Sequence, residues 1–292
     1  MSKLKNNYDQ IERLHNLFIS TLDFKLYSCG VSIKELPYSE RWTLRPDSHI
    51  SQIMGAQMNV FFKDHPVLHV KSGETIILPS NMMHRSETFC SSEDKAIFRW
   101  AHIQFFVAYS FDIFNFFELP FVLSGADGEI IGDFNEKFTY FTKNKDISAI
   151  AAAVGIKRTA FELLDSMLHM VPMKKIDPNI SDKIYKIQPV LKYLDKNLTR
   201  NVTIAKLAGM ANMSQTRFYV TFKNIMCVPP YEYIIRQRLK KAQRMLCMPQ
   251  LPISDISVEC GYKDQFFFSK LFKKHIGITP SQYRQQETID LK

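Results

Sequence analysis

Two segments near the C-terminal end carry side chains suited to binding nucleic acid. They span residues 215–224 and 265–275, and each combines hydrogen-bonding or apolar side chains with lysine. Side chains of the first kind can read base edges in a major groove, while lysine and arginine pair with phosphate oxygens. The candidate base-reading residues are Thr216, Tyr219, Val220, Gln265, Phe266, Ser269 and Lys270. The candidate phosphate-binding residues are Lys223, Arg236, Lys273 and Lys274.

Phenylalanines indicate how these segments are positioned. Phe218 and Phe222 are four residues apart, and so are Phe268 and Phe272. This spacing places each pair on one face of a helix, which predicts a buried stripe opposite the polar residues. A helical bundle with solvated lysine and arginine side chains is the alternative interpretation.

A repeated turn signature precedes both predicted helices. Ala208 is followed four positions later by Asn212, and Ser257 is followed four positions later by Gly261. The small residue lets two helices cross closely, and Asn or Gly can adopt the left-handed conformation that closes a helix-turn-helix. The residues predicted to cap or open the second helices, and to complete the DNA-binding set, are Ser214, Gln215, Arg217 and Asp264.

The duplicated pattern resembles the DNA-binding domain of the AraC family of bacterial transcription regulators. The resemblance is strongest over residues 261–274 and includes the helix at residues 238–246. It implies two helix-turn-helix units joined by one long helix, predicted here from Pro230 to Cys247, that sets the distance between the units. Cys227 departs from the pattern, because the first copy often carries glycine there, as the second does at Gly277.

The charge of the chain is segregated. The net charge of +9 arises from residues 185–292, where 18 Lys and Arg outnumber 7 Asp and Glu, whereas residues 1–184 hold 20 and 22. A positive charge on the duplicated segment suits the neutralisation of DNA phosphates. The nearly neutral first part of the chain suggests a different role.

The cysteines and the apolar runs argue against a secreted, disulfide-rich or membrane-spanning protein. Five cysteines without a C-x-x-C pair argue against a zinc site or a disulfide framework and favour a reducing cytoplasm, with a redox-sensing pair as the alternative. The N-terminus lacks the apolar run of a signal peptide. The apolar stretch at residues 103–123 is interrupted by polar residues, so we expect no membrane span and a cytoplasmic, nucleoid-associated protein.

Residues 23–106 alternate in short runs, which predicts a β-barrel or jelly roll. Gly73, Pro79 and His84 have the spacing of the second motif of cupin barrels, which they resemble. His65 and His69 are four apart and lack the partners of a metal-binding cupin triad. We therefore expect His84 to line a pocket or support the fold, and we expect no metal, no cofactor and no enzymatic activity.

A small ligand is expected inside this barrel. Phe98, Trp100 and His102 alternate along one predicted strand, and Trp100 and His102 resemble part of a strand common in the sensor barrels of the AraC family. Arg41 and Trp42, predicted in an early strand, could add a charged clamp and a stacking plane. The predicted ligand-binding residues are thus Arg41, Trp42, His84, Trp100 and His102. Core packing for Trp100 and a surface position for Arg41 are the alternatives.

Helical periodicity returns at residues 133–169. Asp146 is predicted to cap the second of two helices, and Gly155 to bend or divide it. In the AraC family such helices form a dimer contact, so the resemblance implies a homodimer, with packing on the barrel as the alternative. Residues 172–184, with two prolines, are predicted as a linker.

Together these features predict an α+β protein with two domains. Residues 1–171 would form a cupin-like β-barrel with flanking helices for sensing and dimerisation, and residues 185–292 an all-α double helix-turn-helix domain. The expected function is a sequence-specific DNA-binding transcription regulator, an activator controlled by a small effector, with double-stranded DNA and RNA polymerase as partners. A metal-dependent cupin enzyme with a DNA-binding tail and a non-specific architectural DNA binder are the alternatives.

Overall fold

The computed structural model divides into two compact units. One comprises residues 23–105 and 112–175, and the other is built around residues 176–292. The predicted linker falls partly outside the described residues. The structure describes residues 12, 16, 18–45, 47–80, 82–90, 94–107, 111–174, 180–226, 228–248 and 250–290.

The first unit contains two β-sheets. The larger sheet has the strand order β1-β9-β4-β7-β11 with β10 beside β9, and the smaller has the order β2-β8-β5-β6 with β3 beside β8. Strand β4 is antiparallel to both β7 and β9, and β5 is antiparallel to both β6 and β8. The strands are β1 (Asp23–Glu35), β2 (Tyr38–Ser39), β3 (Thr43–Leu44), β4 (Ser48–Met54), β5 (Ala56–Phe62), β6 (Leu68–Val70), β7 (Thr75–Leu78), β8 (Met83–Cys90), β9 (Lys95–Val107), β10 (Phe111–Asp112) and β11 (Phe121–Leu123).

Apolar side chains from both sheets form a common core. Ile53 and Ile76 of the larger sheet pack with Met58, Val60 and Val70 of the smaller sheet, and all five are buried. Strand β5 alternates buried and more accessible residues because only one of its faces meets this core. The structure confirms the predicted antiparallel β domain with flanking helices.

Two helices cover the larger sheet. Helix α1 (Gly125–Lys143) is fixed there because the Thr75 hydroxyl donates to the Gly128 carbonyl at 2.7 Å and the Asn135 amide donates to the Arg99 carbonyl at 2.9 Å. Helix α2 (Ala149–Met170) packs on α1. Strand β7 is buried along its whole length because α1 covers one of its faces and the core shared by the two sheets covers the other.

Two local predictions for these helices are wrong. Ser148 caps α2 by accepting the backbone N–H of Ala151 at 3.2 Å, so Asp146 is not the cap. Gly155 does not divide α2, which is one helix from Ala149 to Met170. A Cβ at Gly155 would lie 2.4 Å from the Phe141 ring, so this glycine permits the close approach of α1 and α2 instead.

The second unit is helical in its described residues. Helix α3 begins at Ile180, inside the range predicted as linker, and buries Ile187, Val190, Leu191 and Leu194. Pro172 precedes this helix, and Pro189 lies inside it. The helices are α3 (Ile180–Asn197), α4 (Ile204–Met210), α5 (Gln215–Met226), α6 (Pro230–Leu246), α7 (Ile253–Glu259), α8 (Gln265–Ile276) and α9 (Pro280–Asp290).

Candidate nucleic-acid interface

Helices α4 and α5 form the first helix-turn-helix. Asn212 has a φ of 52°, which turns the chain after α4. The N–H of Met213 then donates to the carbonyl of Ala208 at 3.0 Å, and the hydroxyl of Ser214 accepts the N–H of Arg217 at 3.3 Å. The predicted turn and N-cap are both confirmed.

Helices α7 and α8 form the second helix-turn-helix. Gly261 has a φ of 82°, and the N–H of Tyr262 donates to the carbonyl of Ser257 at 2.9 Å. The carboxylate of Asp264 accepts the N–H of Phe266 at 2.7 Å, which caps α8. Asp264 lies three residues after the positive-φ position, whereas Ser214 lies two after Asn212, so the second turn is one residue longer.

A phenylalanine seam anchors each second helix. Phe218 and Phe222 are fully buried with ring centroids 5.4 Å apart, and Phe222 meets Tyr233 of α6 edge to face at 5.4 Å. The second copy repeats this arrangement: Phe268 and Phe272 are 5.8 Å apart, and Phe272 meets Tyr283 of α9 edge to face at 5.7 Å. The sequence duplication is therefore a duplication of packing.

The faces opposite the seams are accessible. Phe266 is 81% exposed and Val220 is 52% exposed, although both are apolar. Ser269 is half-buried beside the seam. The predicted DNA-binding residues of α5, α8 and their caps that are exposed are Ser214, Gln215, Thr216, Arg217, Tyr219, Val220, Lys223, Asp264, Gln265, Phe266, Lys270, Lys273 and Lys274.

Arg236 differs from the other predicted phosphate contacts. Its Nε donates to the carboxylate of Glu232 at 2.8 Å one turn earlier in α6, and the side chain is half-buried. The same carboxylate oxygen lies 3.6 Å from Nδ1 of His275 at the end of α8. Because Glu232 already neutralises part of its charge, Arg236 is a weaker phosphate-contact candidate than Lys223.

Arg238 makes long-range contacts that the sequence did not predict. From α6 its guanidinium donates to the carbonyls of Leu198 at 2.7 Å, Arg200 at 2.9 Å and Gly261 at 3.2 Å. It also lies over the Tyr262 ring, 5.3 Å from its centroid. Arg238 therefore ties the linking helix to the second turn. The acceptors lie 23 to 40 residues away, so no local pattern reveals this role.

The cysteine beside the second turn has an unreactive thiol. Cys260 is fully buried, and burial raises the pKa of its thiol to about 11. A thiol with such a pKa is a poor nucleophile at neutral pH. This disfavours the redox-sensing alternative at Cys260.

The predicted ligand-binding residues do not all lie together. Trp100 and His102 share a face of β9 with ring centroids 5.1 Å apart, and His84 is buried on β8. The strand predicted for Arg41 and Trp42 is wrong, since both lie between β2 and β3 and are exposed. Their loop position turns them towards solvent, with Trp42 beside Arg85.

Neither His65 nor His69 forms a metal-binding group with His84. His69 contacts the Asn59 amide oxygen at 2.7 Å through Nδ1, and His65 contacts the Pro66 carbonyl at 3.0 Å. Within the described residues, no group of three or more His, Cys, Asp or Glu is arranged to hold a metal ion. Nor do the described helices include one that is long and apolar enough to cross a membrane.

Burial gives the histidines a defined effect on stability. Burial, and to a smaller extent the charge of Arg45, lowers the pKa of His102 well below 6.5. Just below pH 6.5, this imidazole is therefore neutral in the folded state but becomes protonated in the unfolded state. The unfolding free energy therefore loses nothing to this group above about pH 6.5 and decreases as the pH falls below that value.

Replacement of His102 should reduce this acid sensitivity. Between about pH 6 and pH 5, His102→Asn is expected to lessen the pH-dependent loss of unfolding free energy. Urea unfolding of both proteins at several pH values measures the slope. Identical slopes would show that His102 protonates alike in both states.

The geometry defines a class of protein in which two helix-turn-helix units share one linking helix. A family described as a helix-turn-helix domain matches residues 207–286. The transcriptional activator AarP of Providencia stuartii is 30% identical over 102 residues, which are 35% of this chain and 76% of AarP. The chain belongs to the AraC family of bacterial transcription regulators.

Other similarities extend beyond the helical unit. The raffinose operon regulatory protein RafR of Pediococcus pentosaceus is 25% identical over 235 residues, covering 76% of this chain and 79% of RafR. The crystal structure of ToxT from Vibrio cholerae O395 has a TM-score of 0.55 at 14% identity, covering 92% of this chain and 99% of ToxT, and thus shares the fold. Among the first curated relatives, by contrast, the match spans only 38–45% of each relative's length.

Proposed function

We propose that this chain is a transcription activator that binds a specific sequence of double-stranded DNA through both helix-turn-helix units. The observation that carries this proposal is the repeated division of α5 and α8 into a buried phenylalanine seam and an exposed polar face. One continuous helix, α6, joins the two units. Successive major grooves on one side of DNA are about 34 Å apart, and α6 would hold α5 and α8 at a matching separation.

In this proposal the two exposed faces divide the work of recognition. Thr216 and Gln265, near the starts of α5 and α8, would contact base edges, and Lys223 would neutralise a phosphate. Arg238 would act indirectly by keeping the second turn against α6. The proposal places the protein in the cytoplasm at the nucleoid and makes RNA polymerase a partner.

The β domain would bind a small effector. Trp100 offers a half-buried aromatic surface beside the buried imidazole of His102, an arrangement suited to a ligand with an apolar part and a polar group. ToxT, which shares the fold, has also been solved with an unsaturated fatty acid bound, and the name of RafR associates it with a sugar operon. These relatives favour effector control without selecting the effector.

Helix α2 would form a homodimer contact. Ile150, Val154 and Leu168 are 79%, 61% and 45% exposed, although the opposite side of the helix buries Leu163 and Met167. An apolar stripe of this kind is stabilised by contact with a second copy. The domain boundaries of this proposal remain 1–171 and 185–292.

Selection of bound duplexes from a random pool, performed with the purified full-length protein, tests the DNA-binding function. The wild-type protein should enrich a defined sequence with two half-sites about one helical turn apart. Thr216→Ala and Gln265→Ala should each relax the preference at a few base pairs, by about 1–3 kcal/mol of discrimination at a contacted base pair.

Lys223→Gln provides the contrasting variant. It should weaken all duplexes alike and reduce the slope of log K against log salt by about 0.9, because one phosphate contact is lost. Uniform weakening by all three variants would contradict the division between base and phosphate contacts. Absence of any enriched sequence with the wild-type protein would favour the architectural DNA binder.

A further inference from the structure

Three imidazoles lie inside the β domain. His49 on β4 and His102 on β9 are cross-strand partners with ring centroids 4.7 Å apart. His84 comes from the smaller sheet, and its charge reaches both of the other rings. The three side chains therefore converge between the two sheets. His84 and His102 were predicted from the sequence to bind a ligand, whereas His49 was not.

Two buried nitrogen atoms of this cluster have no hydrogen-bond partner within the described structure. They are Nδ1 of His49 and Nε2 of His102. The other nitrogen of His102, Nδ1, lies 3.0 Å from the hydroxyl of Ser28, which fixes the orientation of the ring. A buried imidazole nitrogen without a partner is destabilising, so these atoms mark a place for a hydrogen-bonding group of another molecule.

A positive charge acts on both of these imidazoles. The Arg45 guanidinium lowers the pKa of both His49 and His102, after the larger effect of burial. The carboxylate of Glu40 acts on His84, where it raises the pKa against the larger lowering effect of burial. An anion placed beside His49 and His102 would thus meet positive potential and hydrogen-bond donors.

An apolar surface adjoins the cluster. The Trp100 ring lies 5.1 Å from the His102 ring, and it approaches the backbone of β1 at Gly30. A Cβ at Gly30 would lie 3.0 Å from the indole, so the glycine makes room for Trp100. The indole and the imidazoles consequently offer an apolar and a polar surface side by side.

We propose that His49, His102 and Arg45 bind the anionic group, a carboxylate or a phosphate, of the effector, whose apolar part lies against Trp100. The proposal rests on the proposed effector-binding function and names the chemical class of its ligand. On binding, an imidazole takes up one proton from solvent, and the resulting imidazolium pairs with the anion. Effector affinity should therefore increase as the pH decreases towards 6.

Histidine-selective 15N NMR of the full-length protein tests this site with acetate and inorganic phosphate as probes. Each probe is titrated at constant ionic strength against chloride, and His49→Asn and His102→Asn identify the two signals. At least one anion should shift both signals and raise their pKa values by about one unit or more. A larger response to acetate identifies a carboxylate ligand, and a larger response to phosphate identifies a phosphorylated one.

An uncharged probe and two variants that each lack one positive charge serve as controls. Acetamide, which matches acetate in shape, should leave both signals in place, and Arg45→Gln should abolish the response to the anions. Lys95→Gln, which removes an exposed cation from the same strand as His102, should respond as the wild type does. Unchanged imidazole signals with both anions, an equal response to acetamide, or a full response in Arg45→Gln would each overturn the proposal.

DNA binding separates failure of this inference from failure of the proposed function. Selection of duplexes is repeated with the protein used for NMR. A protein that enriches a defined sequence but shows no anion response contradicts only the anionic ligand. A protein that shows neither contradicts both proposals.

Discussion

Phe272→Ala is expected to lower the unfolding free energy of the helical unit by about 3–5 kcal/mol. Phe272 is fully buried between Phe268 and Tyr283, with ring centroids 5.8 and 5.7 Å away. Truncation removes the buried ring and leaves a cavity where α8 is anchored. Urea unfolding of the full-length protein, followed by far-UV circular dichroism, measures the loss in the transition of this unit.

Phe266→Ala is the matched control because it makes the same change on the opposite face of α8. The Phe266 ring is 81% exposed, so its removal should change stability by no more than about 0.5 kcal/mol. If α8 enters a major groove, this variant should instead weaken DNA binding through loss of an apolar contact with a thymine methyl group. Equal destabilisation by both variants would contradict the assignment of buried and exposed faces.

Gly261→Ala is expected to destabilise the helical unit by about 3 kcal/mol. Gly261 has a φ of 82°, and a Cβ there would lie 2.7 Å from the carbonyl oxygen of Thr199. The oxygen belongs to the backbone and cannot move away cheaply. The same Cβ would lie 3.1 Å from the Arg238 guanidinium carbon, so the contacts of Arg238 should be disturbed as well.

Two further glycine variants separate the causes of this effect. Gly277 has a φ of 93° with open space around its Cβ position, so Gly277→Ala should cost only the conformational strain of about 1–2 kcal/mol. Gly209 lies in helix α4 without a nearby atom or a positive φ, and Gly209→Ala should be neutral or stabilising by up to about 1 kcal/mol. If Gly261→Ala resembles Gly277→Ala, the Thr199 contact contributes little.

The structure of the helical unit could be predicted from the sequence because the residues that specify it lie close together along the chain. Each positive-φ residue, N-cap and phenylalanine pair acts within a few positions, and the pattern occurs twice. The helices begin where the caps predict, at Gln215 and Gln265. The repetition made an accidental match improbable, and the packing of Phe222 on Tyr233 and of Phe272 on Tyr283 repeats it in space.

The structure of the β domain was harder to predict because residues that contact each other across its strands are far apart in the sequence. The pairing of His49 with His102 depends on strand register, which follows from how the whole sheet assembles. The wrong placement of Arg41 and Trp42 has the same origin, since an alternating pattern does not reveal where an edge strand stops pairing. Ser148 rather than Asp146 caps α2, and because both residue types are good caps, residue type alone did not distinguish them.

The sequence by itself determined the tandem helix-turn-helix units, the two exposed faces opposite the phenylalanine seams and the β domain, because periodicity, capping and turn residues act over short distances. Only the tertiary structure revealed the contacts of Arg238, the restraint on Arg236 by Glu232 and the convergence of His49, His84 and His102. Most of these arrangements join residues that are far apart along the chain. Their energies depend on distance, burial and charge in three dimensions, which no local pattern encodes.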